Sequence, residues 1–428
     1  MKLDYKKTFL IGFGFLATTI AWAVYNAYVP IILEGYLKST FWIGAIMTID
    51  NIFGVVFQPV FGHISDNSKS KMGRRMPFVL VGIPICAVLL IFIPLTTTLW
   101  MAMTVIIAFN FVMSTWRAPV VALMPDLTSS PLRSKANGVI NLMGGLGTLV
   151  VFVLGGMLYN AGGMSLPFIF AAIIMVVSLV ILKLTVKEPP LKLPEYDADD
   201  KQPKETLKFR QLPKDERKSI INNLLFILLA ILFWFIAYSA VETFFTLYAT
   251  NTLANADGTM LSAGDASIML GAFSLMYLVF AIPAGFLGTK YGRKRTIIAG
   301  LVGIIVLFVI MYFTTYVPAV WVLLLLSGVC WSAVAINSYP MVVDMGTEKT
   351  TGLYTGFYYI ASFSASVISP ILFGLIRDYT QSYKTLFIYS AIGFIAALVL
   401  MFFVKRGEAK SGPTDADARA KTTDTQAA

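Results

Sequence analysis

The sequence predicts an all-α integral membrane protein, with twelve transmembrane helices in two pseudo-symmetric six-helix bundles. Three observations predict it. Of 428 residues, 57% are hydrophobic and only 13% charged, with a mean hydropathy of +0.76, whereas a soluble domain is about half apolar and about a quarter charged. The apolar residues fall in twelve runs, each near the roughly 20 residues that cross a hydrocarbon core about 30 Å thick. Landmark residues then recur at a nearly constant spacing between the two halves.

In the first half the runs are Thr8–Leu33, Trp42–Ile64, Phe78–Leu95, Leu99–Leu123, Gly138–Leu158 and Leu166–Val186. The second half gives Ile220–Tyr248, Ser267–Gly288, Thr296–Tyr316, Ala319–Val343, Leu353–Leu375 and Thr385–Val404. The opening Met1–Ala23 has the form of a signal peptide, with Lys2, Lys6 and Lys7 before an apolar stretch and Ala21-Trp22-Ala23. The apolar run nevertheless continues to Leu33, so a retained span is expected. The division into units follows: bundles over 1–186 and 219–406, a cytoplasmic linker over 187–218 and a disordered tail over 407–428. The linker mixes Lys, Glu, Asp and Pro, and the tail has no periodicity.

Lys and Arg number 33 against 23 Asp and Glu, a net charge of +10. With both termini and the even-numbered loops on the cytoplasmic side, that side holds 29 of the 33. The outer loops keep Lys38, Arg377 and Lys384, and Arg117 lies within a span. The surplus is therefore a topology signal under the positive-inside rule, and no nucleic-acid partner is expected. Cys86 and Cys330 sit in apolar runs, and His63 is the only histidine, which gives neither a disulfide framework nor a metal site. Nothing in the chain has the form of a nucleophile, metal or nucleotide site, and no enzyme is expected.

The repeat can be laid out residue by residue. Gly73-Arg74-Arg75 follows the second run and Gly292-Arg293-Lys294 the eighth, 219 residues later. Asp126 and Asp344, Gly138 and Gly356, and Gly156 and Gly374 are each 218 apart. Gly62 and Gly285 differ by 223, because the first loop is longer. Two six-helix halves facing a central cavity is a transporter architecture.

Gly62-x-x-x-Asp66 followed by Gly73-Arg74-Arg75 resembles the cytoplasmic loop motif of the major facilitator superfamily. Gly285-x-x-x-Thr289 followed by Gly292-Arg293-Lys294-Arg295 resembles its weaker second copy. A further block runs Arg117-Ala118-Pro119-x-x-Ala122-Leu123-x-x-Asp126-Leu127-Thr128, then Arg133-x-Lys135-Ala136-Asn137. It resembles the sucrose–proton symporters and the wider glycoside–pentoside–hexuronide cation symporters. The superfamily likeness covers all twelve runs, and the narrower one about 70 residues of the first half. It departs at Ile106, where plant members carry an acidic residue, while Asn110 keeps polar character one turn later. The resemblance implies the major facilitator fold and uptake of a disaccharide or other glycoside. It also implies that Gly62, Asp66, Gly73, Arg74, Arg75, Asp126, Arg293 and Asp344 belong to a cytoplasmic gate latched by ion pairs.

The residues themselves nominate a site. Charges inside a membrane cost about 2.5–3.5 kcal/mol each on insertion scales, so Asp50, Arg117 and Glu242 are functional candidates. Asp50 and Glu242 lie at similar depth, about 9–12 Å below the outer ends of their runs, with Arg117 deeper. Depth alone does not pair Asp50 with Arg117. On the seventh run Trp234, Tyr238, Glu242 and Thr246 recur every four residues as one stripe. Asn110 and Ser114 share a face with Arg117, Asn51 accompanies Asp50, and Trp22 and Asn26 share a face beside Tyr25. Asn337 and Tyr358 complete the expected lining. Carboxylate, amide and aromatic groups are what the hydroxyls and flat faces of a sugar need.

Desolvation makes a carboxylate in an apolar cavity easier to protonate, so Asp50 or Glu242 is expected to carry a proton. The expected function is proton-coupled symport of a glycoside by alternating access. The alternatives are sodium coupling and an exporter of drugs or other small solutes. A non-transporting sugar sensor would need a larger cytoplasmic domain than the linker and tail provide. No cofactor is expected beyond the coupling ion. The partners expected are the sugar and the lipid bilayer, with the chain a monomer in a bacterial inner membrane.

Overall fold

A computed structural model describes residues 3–128, 132–188, 214–345, 351–405 and 407. The linker and tail expected over 187–218 and 407–428 therefore lie largely outside the described residues, as do the side chains of Arg133 and Lys135. Twelve helices are long and apolar enough to span a membrane. They are α1 (Tyr5–Glu34), α2 (Thr40–Asp66), α3 (Met76–Leu95), α4 (Leu99–Leu127), α5 (Ala136–Gly162) and α6 (Ser165–Thr185). The second set is α7 (Ile221–Thr252), α8 (Ala263–Tyr291), α9 (Arg293–Phe313), α10 (Val317–Val343), α11 (Leu353–Thr380) and α12 (Thr385–Phe403). Most run a few residues past the apolar stretches, because polar end residues such as Asp66 and Arg293 still complete helical turns. The ninth instead stops at Phe313, where Thr314 turns extended.

Packing repeats between the sets. Helix α1 packs on α5 and α6, α2 and α3 on α4, and α3 on α6; α7 packs on α11 and α12, α8 and α9 on α10, and α9 on α12. The sets meet where α2 crosses α11, α5 crosses α8 and α1 runs beside α7. Gly73 and Gly292 both have positive φ (100° and 97°) and turn the chain into α3 and α9, a conformation open to glycine.

Two helices are interrupted at the interface between the sets. Helix α2 breaks at Thr48, whose hydroxyl donates to Ala45 O at 2.7 Å, two residues before Asp50. Helix α5 widens into a π turn over Val151–Gly155, a feature that is frequent at functional sites. The Ser267 hydroxyl of α8 donates to Phe152 O in that turn, at 3.0 Å.

The ends of the molecule differ. Call the end where α1 begins the terminal face and the opposite end the far face. On the far face the sets are joined directly. Asp378, near the end of α11, accepts from Ser39 Oγ and from the backbone N–H of Thr40 and Phe41, at 2.6–3.1 Å, at the start of α2. Asn160, near the end of α5, donates to Asp265 and accepts from Ser262 Oγ, at 2.8 and 2.6 Å, at the start of α8. Glu34 accepts from Tyr383 and Asn251 at 2.9 and 3.1 Å. Below these contacts the backbones nearly touch. A Cβ added at Gly44, Gly374, Gly156 or Gly264 would come within 3.0 Å of backbone in the other set.

Candidate solute and ion site

The three charged residues expected in mid-membrane converge where the two sets meet. Asp50 of α2 has Arg117 of α4 and Glu242 of α7 as electrostatic neighbours. The break at Thr48 places Asp50 in the first turn of a new helix segment, where the positive end of the helix dipole favours an anion. The backbone N–H and Nδ2 of Asn51 both donate to Asp50 Oδ1, each at 2.6 Å. Arg117 lies over the Trp22 ring, 3.5 Å from its centre. Its Nη1 is buried and makes no hydrogen bond. Asp50 and Arg117 are not within the 4.0 Å of a salt bridge.

Asn26 on α1 lies close to Glu242 across the interface. Glu242 lines a cleft with Tyr238, Val241, Leu270, Phe273 and Ser274, and with Thr148 and Phe152 of α5. Tyr238 stacks on Trp331 with ring centres 4.4 Å apart and planes 2° from parallel, and its ring centre is 6.3 Å from that of Phe273. The first set thus contributes charge and amides to the site, and the second contributes a carboxylate in an aromatic wall. Phe273 in the lining, and Trp331 stacked behind Tyr238, were not expected. Both come from mainly apolar runs, where sequence does not separate a cavity wall from core.

Other expected lining residues lie elsewhere. Asn337 is 3% exposed, and its Nδ2 donates to Ala284 O and Ala333 O at 3.0 Å. It ties α10 to α8 rather than facing a solute, the glue role amides take between membrane helices. Trp234 and Thr246, at the ends of the α7 stripe, are fully buried, so only its middle, Tyr238 and Glu242, lines the cleft. Tyr358 packs against α10 with its hydroxyl 3.1 Å from that of Ser338. Asn110 donates to the Tyr25 hydroxyl at 3.2 Å, and Tyr25 stacks on Phe109. Both lie inside the first set, with Tyr25 an electrostatic neighbour of Asp50 and Asn110 Oδ1 buried without a partner.

The expected gate residues form two networks at the terminal face. Arg75 is ion-paired with Asp66 and, at 2.9 Å, with Asp126, which Arg74 also reaches at 2.6 Å. Arg75 Nη1 donates to Gly62 O at 3.3 Å. Arg293 pairs with Asp344 in the second set. Each of these ion pairs joins helices of a single set, so none bridges the interface in this structure. Glu188, just past α6, was missed; its carboxylate accepts from the backbone N–H of Arg75 and Met76 at 2.9 and 3.2 Å, capping α3. Among the described residues no group of His, Cys, Asp and Glu could hold a metal ion.

The Major Facilitator Superfamily model matches residues 11–264 and 249–425. The class D tetracycline resistance protein of Salmonella ordonez is 25% identical over 342 residues, 79% of this chain and 80% of that protein. The multidrug resistance protein MdtG of Proteus mirabilis is 28% identical over 136 residues, and the chain spans about a third of its length (34%). Among solved structures, a D-xylose–proton symporter superposes with a TM-score of 0.71 at 15% identity, covering 95% of this chain and 99% of that one. A bacterial homolog of the human lysosomal transporter Spinster, inward-facing and occupied, superposes with a TM-score of 0.68 at 13% identity, covering 94% and 95%.

Proposed function

Because the chain belongs to the Major Facilitator Superfamily, and is a multi-pass membrane transporter rather than an enzyme, we propose that it is a proton-coupled symporter of a glycoside. The observation that carries this reading is the charge set at the interface. Asp50, Arg117 and Glu242 come from three helices and lie beside Asn26, Asn51 and a stacked aromatic pair. A sugar hydroxyl between Asp50 and Arg117 would donate to the carboxylate and accept from the unpartnered Nη1. The Tyr238 ring in the cleft, backed by Trp331, offers the flat apolar surface that a sugar ring packs on.

By the positive-inside rule we assign the terminal face to the cytoplasm, and the membrane to a bacterial inner membrane. The far-face hydrogen bonds then close the outer entrance, and each of the terminal ion pairs described above stays within one bundle. Transport would consist of breaking the outer contacts, rocking bundles 1–186 and 219–406 about the site, and making inner contacts instead. The 187–218 linker would join the bundles in the cytoplasm.

Export of an amphipathic drug is the second reading, favoured by the mostly apolar cleft around Glu242 and by the tetracycline resistance relative. Proteoliposomes distinguish the two. Labelled sucrose or maltose should enter faster than into protein-free liposomes and be competed by the unlabelled sugar, while tetracycline should not compete. Drug flux without sugar flux would replace the first reading with the second.

A further inference from the structure

The three charges at the interface do not cancel, since two carboxylates face one guanidinium. Their placement divides them unequally. Asp50 has Arg117 beside it, a helix N-terminal turn under it, and two donors from Asn51 on one oxygen. Among the described residues, no cation lines the cleft around Glu242. The groups facing it are Asn26 from α1, Asp50 from α2 and Tyr238 from its own helix. Thr148 from α5 and Ser274 from α8 add hydroxyls, and the rest of the cleft is apolar. A buried ion without a counter-charge costs several kcal/mol, and such a group takes a proton or a cation instead.

We infer that Glu242 carries the coupled proton, while Asp50 stays ionised beside Arg117 and holds the solute. This rests on the proton-coupled reading above. A proton from the outer solution forms the O–H bond on Glu242, which makes the set neutral. The same O–H bond breaks when the site opens to the cytoplasm, and the proton leaves there. Asn26 and Glu242 stand near each other on opposite bundles, so the protonation step falls where the bundles move past each other when they rock. The two carboxylates therefore have separate tasks, although sequence places them at similar depth.

Full-length Glu242→Gln and Asp50→Asn, each reconstituted, test the division by two assays. One is accumulation of labelled sucrose or maltose under an inward proton gradient; the other is exchange of that sugar with no gradient. Glu242→Gln should lose accumulation, its inside-to-outside ratio falling to unity, while still exchanging sugar at a reduced rate. Asp50→Asn should lose both, with exchange down about tenfold or more, which corresponds to about 1.4 kcal/mol of solute binding. Accumulation by Glu242→Gln overturns the inference, as does exchange without accumulation by Asp50→Asn, or accumulation driven only by sodium.

A solute-free arm separates this inference from the choice of sugar. In unbuffered detergent solution, Glu242→Gln should take up one proton fewer than wild type on acidification from mildly alkaline pH, and Asp50→Asn the same number as wild type. The reverse pattern overturns the inference. Failure of the wild type to move either sugar would count against the glycoside reading alone.

Discussion

Arg117 lies over Trp22 and has Asp50 as an electrostatic neighbour beyond salt-bridge distance. In the division of tasks inferred above, its charge is the counter-charge of Asp50. Arg117→Gln should therefore destabilise the protein by on the order of 3 kcal/mol, because it strands a largely buried carboxylate. Adding Asp50→Asn should restore most of that loss, since the stranded charge is removed. Thermal unfolding of the two single variants and the double variant checks this, and simple additivity would contradict it. Arg117→Lys keeps the charge but loses the planar stack, and should raise the apparent KM for sugar by about tenfold, or about 1.4 kcal/mol. At this scale the sequence was informative for charges, because a charge in an apolar run is costly wherever it points. It was not informative for amides. Asn337 and Asn26 look alike in sequence, yet one satisfies helix carbonyls within a bundle and the other lies near a carboxylate across the interface.

Helix ends carry the next level of organisation. Asp378 and Asn160 stand 218 residues apart, the spacing of the repeat, and each reaches the start of a helix in the opposite bundle. Asp378 is the stronger tie, since it is charged and accepts from two backbone N–H groups and a hydroxyl. Hydrogen bonds to a charged group contribute about 1.5–3 kcal/mol, so Asp378→Ala should shift the protein toward opening at the far face. Ile43, 1% exposed beside that crossing, reports on it. In a background lacking Cys86 and Cys330, Ile43→Cys should react with a membrane-impermeant thiol reagent about tenfold faster when Asp378→Ala is added, a shift of about 1.4 kcal/mol. Equal rates would show that this contact does not hold the face closed. The spacing that exposed Gly156 and Gly374 also contained Asn160 and Asp378, but polar residues near a helix end read as ordinary boundary residues. The π turn at Val151–Gly155 left no trace in sequence, because its five residues fit an α-helical apolar pattern equally well.

The whole molecule is two copies of one packing plan, and their departures from identity indicate what each half does. The first half holds both Asp50 and Arg117, and the second holds Glu242 in an aromatic wall. The terminal networks differ as well. Arg75 is nearly buried and holds two carboxylates, while Arg293 is more open and, among the described residues, pairs with Asp344. Arg75→Ala should therefore lower the unfolding temperature more than Arg293→Ala, and equal losses would argue against that ranking. The twelve spans and the repeat were legible because both are written in apolar length and residue spacing. How the bundles meet was not, since closing one face depends on contacts between residues more than 300 positions apart, such as Ser39 with Asp378. The central claim is that the charge set at the interface couples sugar to protons. The most direct measurement is labelled sugar accumulation in wild-type proteoliposomes under an inward proton gradient, before and after a protonophore is added. Accumulation above the outside concentration that collapses to equality with the protonophore is the predicted result. Uptake that reaches only equality, with or without the gradient, would contradict the claim.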